Sequence, residues 1–264
     1  MNNFFNYHRF ALLVKRQWVE NRRLFLMAFI ILLGLGIVIY SLGTNWENGN
    51  LMLVEIRMGL FFTILFLGGS FFTNYIFRDL SDKNSSTSFL LVPASHFEKQ
   101  LSAAFFTFVI FPITFLTLFY IIDNSFVNIA NGVNNGLVSK KELNPTKYLF
   151  DYIRESKNVN LNIMIPAWLS MQAFMILGSI SFSGWSYIKT GFAGFAIFFA
   201  IILFAVLMHK IFLEDLNNKV GGTHQFQIKP TRDMLNRYII FGLKYALTPL
   251  FLVIAYFKLK EKQI

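Results

Sequence analysis

Six long apolar stretches occupy most of this 264-residue chain. A helix needs about 20 apolar residues to cross the hydrocarbon of a bilayer, because lipid offers no hydrogen-bond partner to a bare backbone N–H or C=O. The predicted spans are residues 24–42, 58–77, 101–122, 164–182, 191–208 and 238–257. The sequence therefore predicts an all-α polytopic membrane protein with six transmembrane helices, built as a single membrane domain over residues 1–264.

The overall composition agrees with a membrane environment. Hydrophobic residues make up 55% of the chain and charged residues only 14%, a balance for which a soluble domain of this length has no sufficiently large core. The net charge of +10 could indicate nucleic acid, but many basic residues lie beside the apolar spans, where membrane anchoring places them. We expect membrane lipid, and no nucleic acid, as a partner. The chain has no cysteine, which excludes disulfides and thiolate chemistry.

The segment before the first span has the pattern of an interfacial helix. Several apolar or aromatic residues fall on one side at helical spacing, and the basic residues point elsewhere. The stripe consists of Tyr7, Phe10, Ala11, Val14 and Trp18. Leu12 and Leu13 fall off it. We expect residues 1–23 to form an amphipathic elbow helix that lies on the membrane surface.

Basic residues at both ends of the chain set the predicted orientation. Arg22 and Arg23 stand immediately before the first span, and three lysines follow the sixth between residues 258 and 262. The positive-inside rule then predicts that both termini are cytoplasmic. Residues 123–163 form a long outer loop in this arrangement. Within it, Asn144 followed by Pro145 predicts the start of a short helix on the outer membrane surface.

Motifs for catalysis are absent from the sequence. It contains no phosphate loop, no H-E-x-x-H zinc helix and no G-x-S-x-G nucleophile motif. The four histidines lie far apart, without metal-ligand spacing, at positions 8, 96, 209 and 224. We expect no catalytic residue, no metal site and no cofactor in this chain, which is not predicted to be an enzyme. No Asp or Glu falls inside a predicted span, which argues against an ion-coupled carrier.

One charged residue falls inside a predicted span. Lys244 lies about two turns into the sixth span. Two interpretations stay open for it: it faces an interior pathway and attracts an anionic group of a cargo, or it snorkels to the outer interface. Pro249 follows five residues later and is expected to kink this helix.

The most specific local signal lies between the second and third predicted spans. Ser95 and Glu98 form an S-x-x-E capping box, and Pro93 precedes them. The box predicts a helix that continues without interruption into the third span. We call residues 93–99 the knuckle. We expect this segment to be rigid and attached directly to a membrane helix, so that a force on the knuckle moves the span.

This layout resembles the permease subunit of type 2 exporters of the ATP-binding-cassette superfamily. The similarity covers the elbow helix, the six spans and the apolar-Pro-small-Ser pattern of residues 91–95, which leads to Lys99. The resemblance implies a coupling helix, which docks on a separate ATPase subunit, formed by Pro93, Ala94, Ser95, His96, Phe97, Glu98 and Lys99.

The same resemblance implies the partners. ATP and magnesium would bind to the ATPase subunit, and a second permease copy or a paralogue would complete the cargo pathway. The single N-x-[ST] pattern, at Asn84 on the predicted inner side, and the lack of cysteine are compatible with a bacterial cytoplasmic membrane.

Two other functions remain open from the sequence. The chain could be a non-transporting scaffold or anchor subunit of a larger membrane complex, with the outer loop 123–163 as its docking surface. A lipid-modifying enzyme would need paired carboxylates or histidines at one membrane depth, and the sequence shows no such pairing. A co-purifying phosphate-loop ATPase would favour the exporter, and its absence would favour the scaffold.

Overall fold

The structure is a computed structural model, and it describes residues 5–45, 51–77, 94–137, 146–156, 160–182, 185–208 and 241–261. The regular elements of this described part are helices. We number them α1 (Tyr7–Gly43), α2 (Val54–Ile76), α3, α4 (Leu149–Glu155), α5 (Leu161–Ser181), α6 (Ser186–Met208) and α7. Helix α3 joins three consecutive segments, His96–Phe105, Phe106–Ile110 and Phe111–Leu137, and α7 joins Gly242–Leu247 and Thr248–Glu261.

Five of these helices have the length and apolar composition of membrane spans. They are α1, α2, residues His96–Val133 of α3, α5, and residues Ser186–Phe204 of α6; each contains an apolar stretch long enough to cross the bilayer, and α1 and α3 extend well beyond that stretch. An all-α, multi-pass membrane protein is therefore confirmed. The sixth predicted span corresponds to α7, whose described residues begin at 241, so residues 238–240 of that span lie outside the described chain. The count of six spans and the side on which the termini lie stay predictions.

Helix α1 differs from the two elements that the sequence predicted. Residues 7–23 of the predicted elbow and the predicted first span, residues 24–42, belong to one helix of 37 residues, Tyr7–Gly43. The physical reason lies in the junction, because Arg22, Arg23 and Leu24 are all good helix formers and no Gly or Pro interrupts them. The boundary between elbow and span is therefore a change in composition and not a break in the backbone.

The described chain divides into two compact units. Unit 1 contains residues 1–76 and 92–168, and unit 2 contains residues 77–91 and 169–264. The prediction of one membrane domain concerns the lipid environment, and this division of contacts does not test it.

Phenylalanine rings form the centre of unit 1. Phe61 lies 5.4 Å from Phe115 and 5.0 Å from Phe119, measured between ring centroids. Phe111 stacks on Phe115 at 6.0 Å. These four rings join α2 to α3, and offset and edge-to-face ring pairs of this kind stabilise helix packing inside a membrane, where burial from water supplies no driving force.

Small and polar contacts hold the helices of unit 2 together. The hydroxyls of Ser170 on α5 and Thr248 on α7 lie 3.0 Å apart, within hydrogen-bond distance. Gly178 on α5 lies directly against the side chain of Thr190 on α6. A glycine at this position lets the two helices approach closely, as small residues do at many membrane helix interfaces.

Two π-helical segments precede proline residues. The segment Phe106–Ile110 ends two residues before Pro112, and Gly242–Leu247 ends two residues before Pro249. Proline cannot donate the backbone hydrogen bond of an α-helix, and its ring crowds the carbonyl four residues earlier. In a π turn the backbone hydrogen bonds join residues five apart instead of four. Each π-helical segment therefore lies where the following proline disrupts the α-helical bonds. Pro166 lies near the start of α5, where the helix shows no such segment.

Adding one methyl group tests the α5–α6 contact. In a Gly178→Ala variant the new Cβ would lie within 3 Å of three Thr190 side-chain atoms. We expect a loss of about 1–3 kcal/mol in stability, the usual range for overpacking, measured by unfolding of the purified protein in detergent. Gly191→Ala is the matched control, because its Cβ meets no atom within 4 Å. Equal stability of the two variants would contradict the packing described.

Candidate functional site

The predicted capping box is present at the start of α3. The Ser95 hydroxyl accepts a hydrogen bond from the Glu98 backbone N–H at 3.1 Å, and Glu98 Oε2 accepts one from the Ser95 backbone N–H at 2.9 Å. The helix then continues from His96 without interruption into the third predicted span, as expected, and extends beyond its predicted end to Leu137. Of the predicted coupling residues, Pro93 lies outside the described residues, and Ala94 to Lys99 lie within them.

The second oxygen of Glu98 binds the start of α1, a contact that the sequence did not predict. Glu98 Oε1 accepts a hydrogen bond from the Asn6 backbone N–H at 2.7 Å and lies 3.2 Å from Arg9 Nη2. The Asn6 side chain meanwhile caps α1 by accepting from the His8 backbone N–H at 2.9 Å. We call Asn6, Arg9, Ser95 and Glu98 the Glu98 node. It fastens the beginning of α1 to the beginning of α3.

Burial and nearby charges determine the protonation of Glu98, which lies before the predicted span 101–122. Burial alone would raise the pKa of Glu98, but the backbone N–H groups of Ser95 and Asn6 and the Arg9 guanidinium outweigh it and hold that pKa below its ordinary value. Burial lowers the pKa of the neighbouring Lys99. The carboxylate of Glu98 is therefore the charged form at neutral pH.

The accessibility of the predicted coupling residues is uneven. Glu98 and Lys99 are buried within the chain itself, whereas Ala94, Ser95, His96 and Phe97 are partly exposed. Among the coupling residues that the structure describes, only these four can contact another protein directly, and Glu98 joins them to α1. Docking of this segment on a partner stays a prediction.

Aromatic rings extend the contact between α1 and α3. Phe10 lies edge-on to Phe105 at 6.3 Å, and Trp18 stacks on Phe106 at 6.5 Å. Phe10 and Trp18 belong to the stripe that the sequence assigned to the membrane surface. The structure uses these two residues for packing against α3.

A second polar cluster lies further along α3. Asp123 Oδ1 accepts hydrogen bonds from Arg57 Nη1 at 2.6 Å and from the Tyr40 hydroxyl at 2.8 Å. Asp123 Oδ2 accepts one from the Leu149 backbone N–H at 2.8 Å, and Arg57 Nη2 donates to the Lys147 carbonyl at 2.7 Å. We call Tyr40, Arg57, Asp123 and the backbone of residues 147–149 the Asp123 node.

The Asp123 node joins four helices at one carboxylate. Tyr40, Arg57 and Asp123 are each at most 1% exposed. Removing a carboxylate and a guanidinium from water is costly, and the two are stable there because their charges are paired and hydrogen-bonded. The bond to Leu149 also satisfies a free N–H in the first turn of α4, where a negative charge is favourable.

Sequence reasoning missed this node because the predicted third span ended at Ile122. Helix α3 continues to Leu137, so Asp123 lies inside a helix and not in a loop. The predicted short helix of the outer loop is present as α4 and begins at Leu149, while the predicted start at residues 144–145 lies outside the described residues. One signal in the sequence could have indicated the pair: Asp123 directly follows the third predicted span, and Arg57 directly precedes the second.

The two nodes lie near opposite ends of the apolar part of α3. Glu98 and Asp123 are separated by 25 positions, which correspond to about 37 Å of helix. The hydrocarbon core of a bilayer is about 30 Å thick. Both carboxylates can therefore lie outside the hydrocarbon, one at each face of the membrane.

The predicted pathway residue, Lys244, belongs to α7. Lys244 lies in the π-helical segment Gly242–Leu247, and its side chain is outside the described part of the structure. The pathway interpretation of Lys244 stays a prediction. Within the described ranges, no group of three or more His, Asp or Glu side chains is placed to hold a metal ion.

Comparisons of this chain with protein-family models, with curated proteins and with solved structures find no match. Its function must therefore be inferred from its own residues and contacts.

Replacing the Asp123 carboxylate tests the importance of its node. Asp123→Asn leaves Arg57 buried without its counter-charge, and we expect a loss of about 3–5 kcal/mol in stability, measured by unfolding in detergent. Lys147→Gln is the control, because it removes only an exposed ion pair with Glu155 and keeps the carbonyl that Arg57 uses. Equal stability of the two variants would contradict the structural role of the Asp123 carboxylate.

The pH dependence of stability tests the Glu98 node. Because the pKa of Glu98 is lower in the folded chain than its ordinary value of 4.5, its charge stabilises the fold above pH 4.5. That contribution is lost as the pH falls further. Glu98→Gln should be less stable than the original chain by on the order of 1 kcal/mol at neutral pH, and the difference should shrink below pH 4.5.

Thermal unfolding across this pH range measures the effect. Glu20→Gln is the matched control, because Glu20 forms only an exposed pair with Arg16. A Glu98→Gln penalty that is constant with pH would show that the carboxylate charge is unimportant.

Proposed function

We propose that this chain is the membrane-spanning permease subunit of an ATP-binding-cassette exporter. Two copies, or one copy and a paralogue, form the cargo pathway, and a separate ATPase subunit drives the cycle. The observation that carries the proposal is the capped start of α3: Ser95 and Glu98 fix a short, partly exposed knuckle to a helix that continues through the apolar span to Asp123.

The geometry supports a mechanical role for the knuckle. Residues 94–97 are accessible to a partner, and the Glu98 node joins them to both α1 and α3. A push on this segment therefore displaces two helices together. At the far end, the Asp123 node joins the same two helices to α2 and α4. Unit 1 would move as one body between inward-facing and outward-facing states, whose free energies ATP binding on the partner must bias.

The energy source belongs to the partner in this proposal. The sequence has no phosphate loop, so ATP and magnesium bind to the ATPase subunit and no residue of this chain is catalytic. The bacterial cytoplasmic membrane is the proposed location. Lys244 is the proposed contact for an anionic group of the cargo within the pathway.

A scaffold subunit is the second candidate. The observation that favours it is the firm attachment of α4, which Asp123 and the Arg57–Lys147 hydrogen bond hold at one end of unit 1. Charged residues on α4, among them Asp151 and Arg154, remain exposed. A fixed helix with exposed charges provides a docking surface for another membrane or extracytoplasmic protein.

Site-directed crosslinking distinguishes the two functions, since the chain has no cysteine of its own. A photoreactive maleimide on Ala94→Cys should capture a phosphate-loop ATPase in native membranes, whereas the same probe on Asp151→Cys should not. Mass spectrometry identifies the captured chain. Capture of a membrane protein only from position 151, with no ATPase from position 94, would favour the scaffold and contradict the exporter.

Coupling is tested by changing the knuckle in the assembled complex. The double variant His96→Ala and Phe97→Ala removes the largest partly exposed side chains of this segment. We expect transport to fall at least about tenfold, equivalent to roughly 1.4 kcal/mol of coupling free energy, while the complex keeps its helical content. Lys258→Gln, which removes an exposed pair with Glu261, is the control. Unchanged coupling in the double variant would exclude this segment as the docking site.

A further inference from the structure

The part of α7 that follows its π-helical segment is fixed to α5. The Thr248 hydroxyl lies 3.0 Å from the Ser170 hydroxyl, and the Phe251 ring lies 5.5 Å from the Phe174 ring. Ser170 and Phe174 both belong to α5, and the two contacts are about one helical turn apart along each helix. Helix α7 is therefore held to α5 directly after the π-helical segment ends.

The same side of α7 stays buried towards the end of the helix. Ala255 and Leu259 are fully buried, and they follow Thr248 and Phe251 at spacings of three and four residues. These four residues form one line along the helix. The segment Thr248–Glu261 is thus packed against the rest of unit 2 over most of its length.

The part of α7 before residue 248 has a different environment. Among the side chains described between residues 241 and 247, none is buried. Phe241 and Tyr245 are each more than half exposed, and their rings contact each other at 5.2 Å. Segments with few buried contacts have the lowest local stability in a folded protein. The π-helical segment therefore separates a packed part of α7 from an exposed part.

The backbone at this boundary offers little resistance to bending. Pro249 has no N–H to donate to the carbonyl of Tyr245, four residues earlier. Gly242 begins the π-helical segment, and a Cβ at this position would meet no atom within 4 Å. In lipid, each backbone hydrogen bond that is broken costs several kcal/mol, so an unbroken α-helix resists bending. Bending costs least where the α-helical pattern is already interrupted.

The π-helical segment of α3 also precedes a proline, but neighbouring helices enclose it. The Phe106 ring at its start lies 6.5 Å from Trp18 and 5.5 Å from Phe25, both on α1. The Phe111 ring directly after it lies 5.1 Å from Phe72 on α2. Bending of α3 at this place would break these contacts. The same local irregularity is therefore locked in α3 and unlocked in α7.

We propose that the π-helical segment Gly242–Leu247 is a hinge, at which the exposed first part of α7 bends against the part that is fixed to α5. Lys244 lies within this segment, so bending changes the position of its backbone relative to α5. In the proposed exporter, the hinge would move the residue that contacts an anionic group of the cargo. The hinge itself follows from packing within this chain, so it holds or fails independently of the exporter function.

Distances between two spin labels test the hinge in the full-length chain, which has no cysteine of its own. Phe241→Cys with Phe257→Cys spans the π-helical segment of α7, and Ala104→Cys with Tyr120→Cys spans that of α3. Both pairs are sixteen positions apart, about 24 Å of helix, and all four positions are at least partly exposed. Pulsed electron paramagnetic resonance in phosphatidylcholine nanodiscs gives the distribution of each distance. We expect the α7 distribution to be at least about twofold wider.

Replacing the two prolines provides the matched comparison. Pro249→Ala restores a backbone N–H and should narrow the α7 distribution to the width found in α3. Pro112→Ala should leave the α3 width unchanged, because the neighbouring rings already hold that segment. Gly242→Ala adds a side chain without a clash and should also narrow the α7 distribution. Equal widths of the two pairs in the otherwise unchanged chain would overturn the proposal, and so would an α7 width that Pro249→Ala leaves unchanged.

Discussion

A carboxylate removed from water needs a partner for each oxygen, and this requirement organises unit 1 at two places. Asp123 meets it with Arg57, Tyr40 and the backbone of Leu149. Glu98 meets it with the start of α1 and with its own helix cap. Lipid supplies no such partners, and the two carboxylates lie near the two ends of the apolar part of α3. Between these ends, ring packing joins α1 and α2 to α3.

This arrangement gives the phenylalanine content a structural role. The chain has 33 phenylalanines. In unit 1, many of them contact one another across helix interfaces, as Phe61 does with Phe119 and Phe25 with Phe72. Because association in lipid depends on van der Waals packing, large flat rings that meet edge to face are well suited to it. Many other rings, such as Phe195 and Phe198 on α6, remain exposed, as expected of residues that face lipid.

The sequence was most informative where the physical signal is local. The apolar runs predicted the membrane class, and S-x-x-E spacing predicted the cap of α3, because both depend on residues close together in the chain. The two nodes could not be predicted in this way. Arg57 meets its carboxylate across 66 positions, and Asn6 meets Glu98 across 92. The sequence also could not show that Phe10 and Trp18 of the elbow stripe contact α3, because an aromatic stripe that packs on a neighbouring helix has the same periodicity as one that lies on lipid.

The central claim is that the Glu98 and Asp123 nodes lie on opposite faces of one membrane, joined by α3. Single cysteines at the exposed positions Tyr7 and Asp151 place a label next to each node in a chain that has no other thiol. Sealed membrane vesicles of known orientation are then treated with a membrane-impermeant maleimide. We predict that Tyr7→Cys reacts only from one side and Asp151→Cys only from the other. Reaction of both from the same side would contradict the claim.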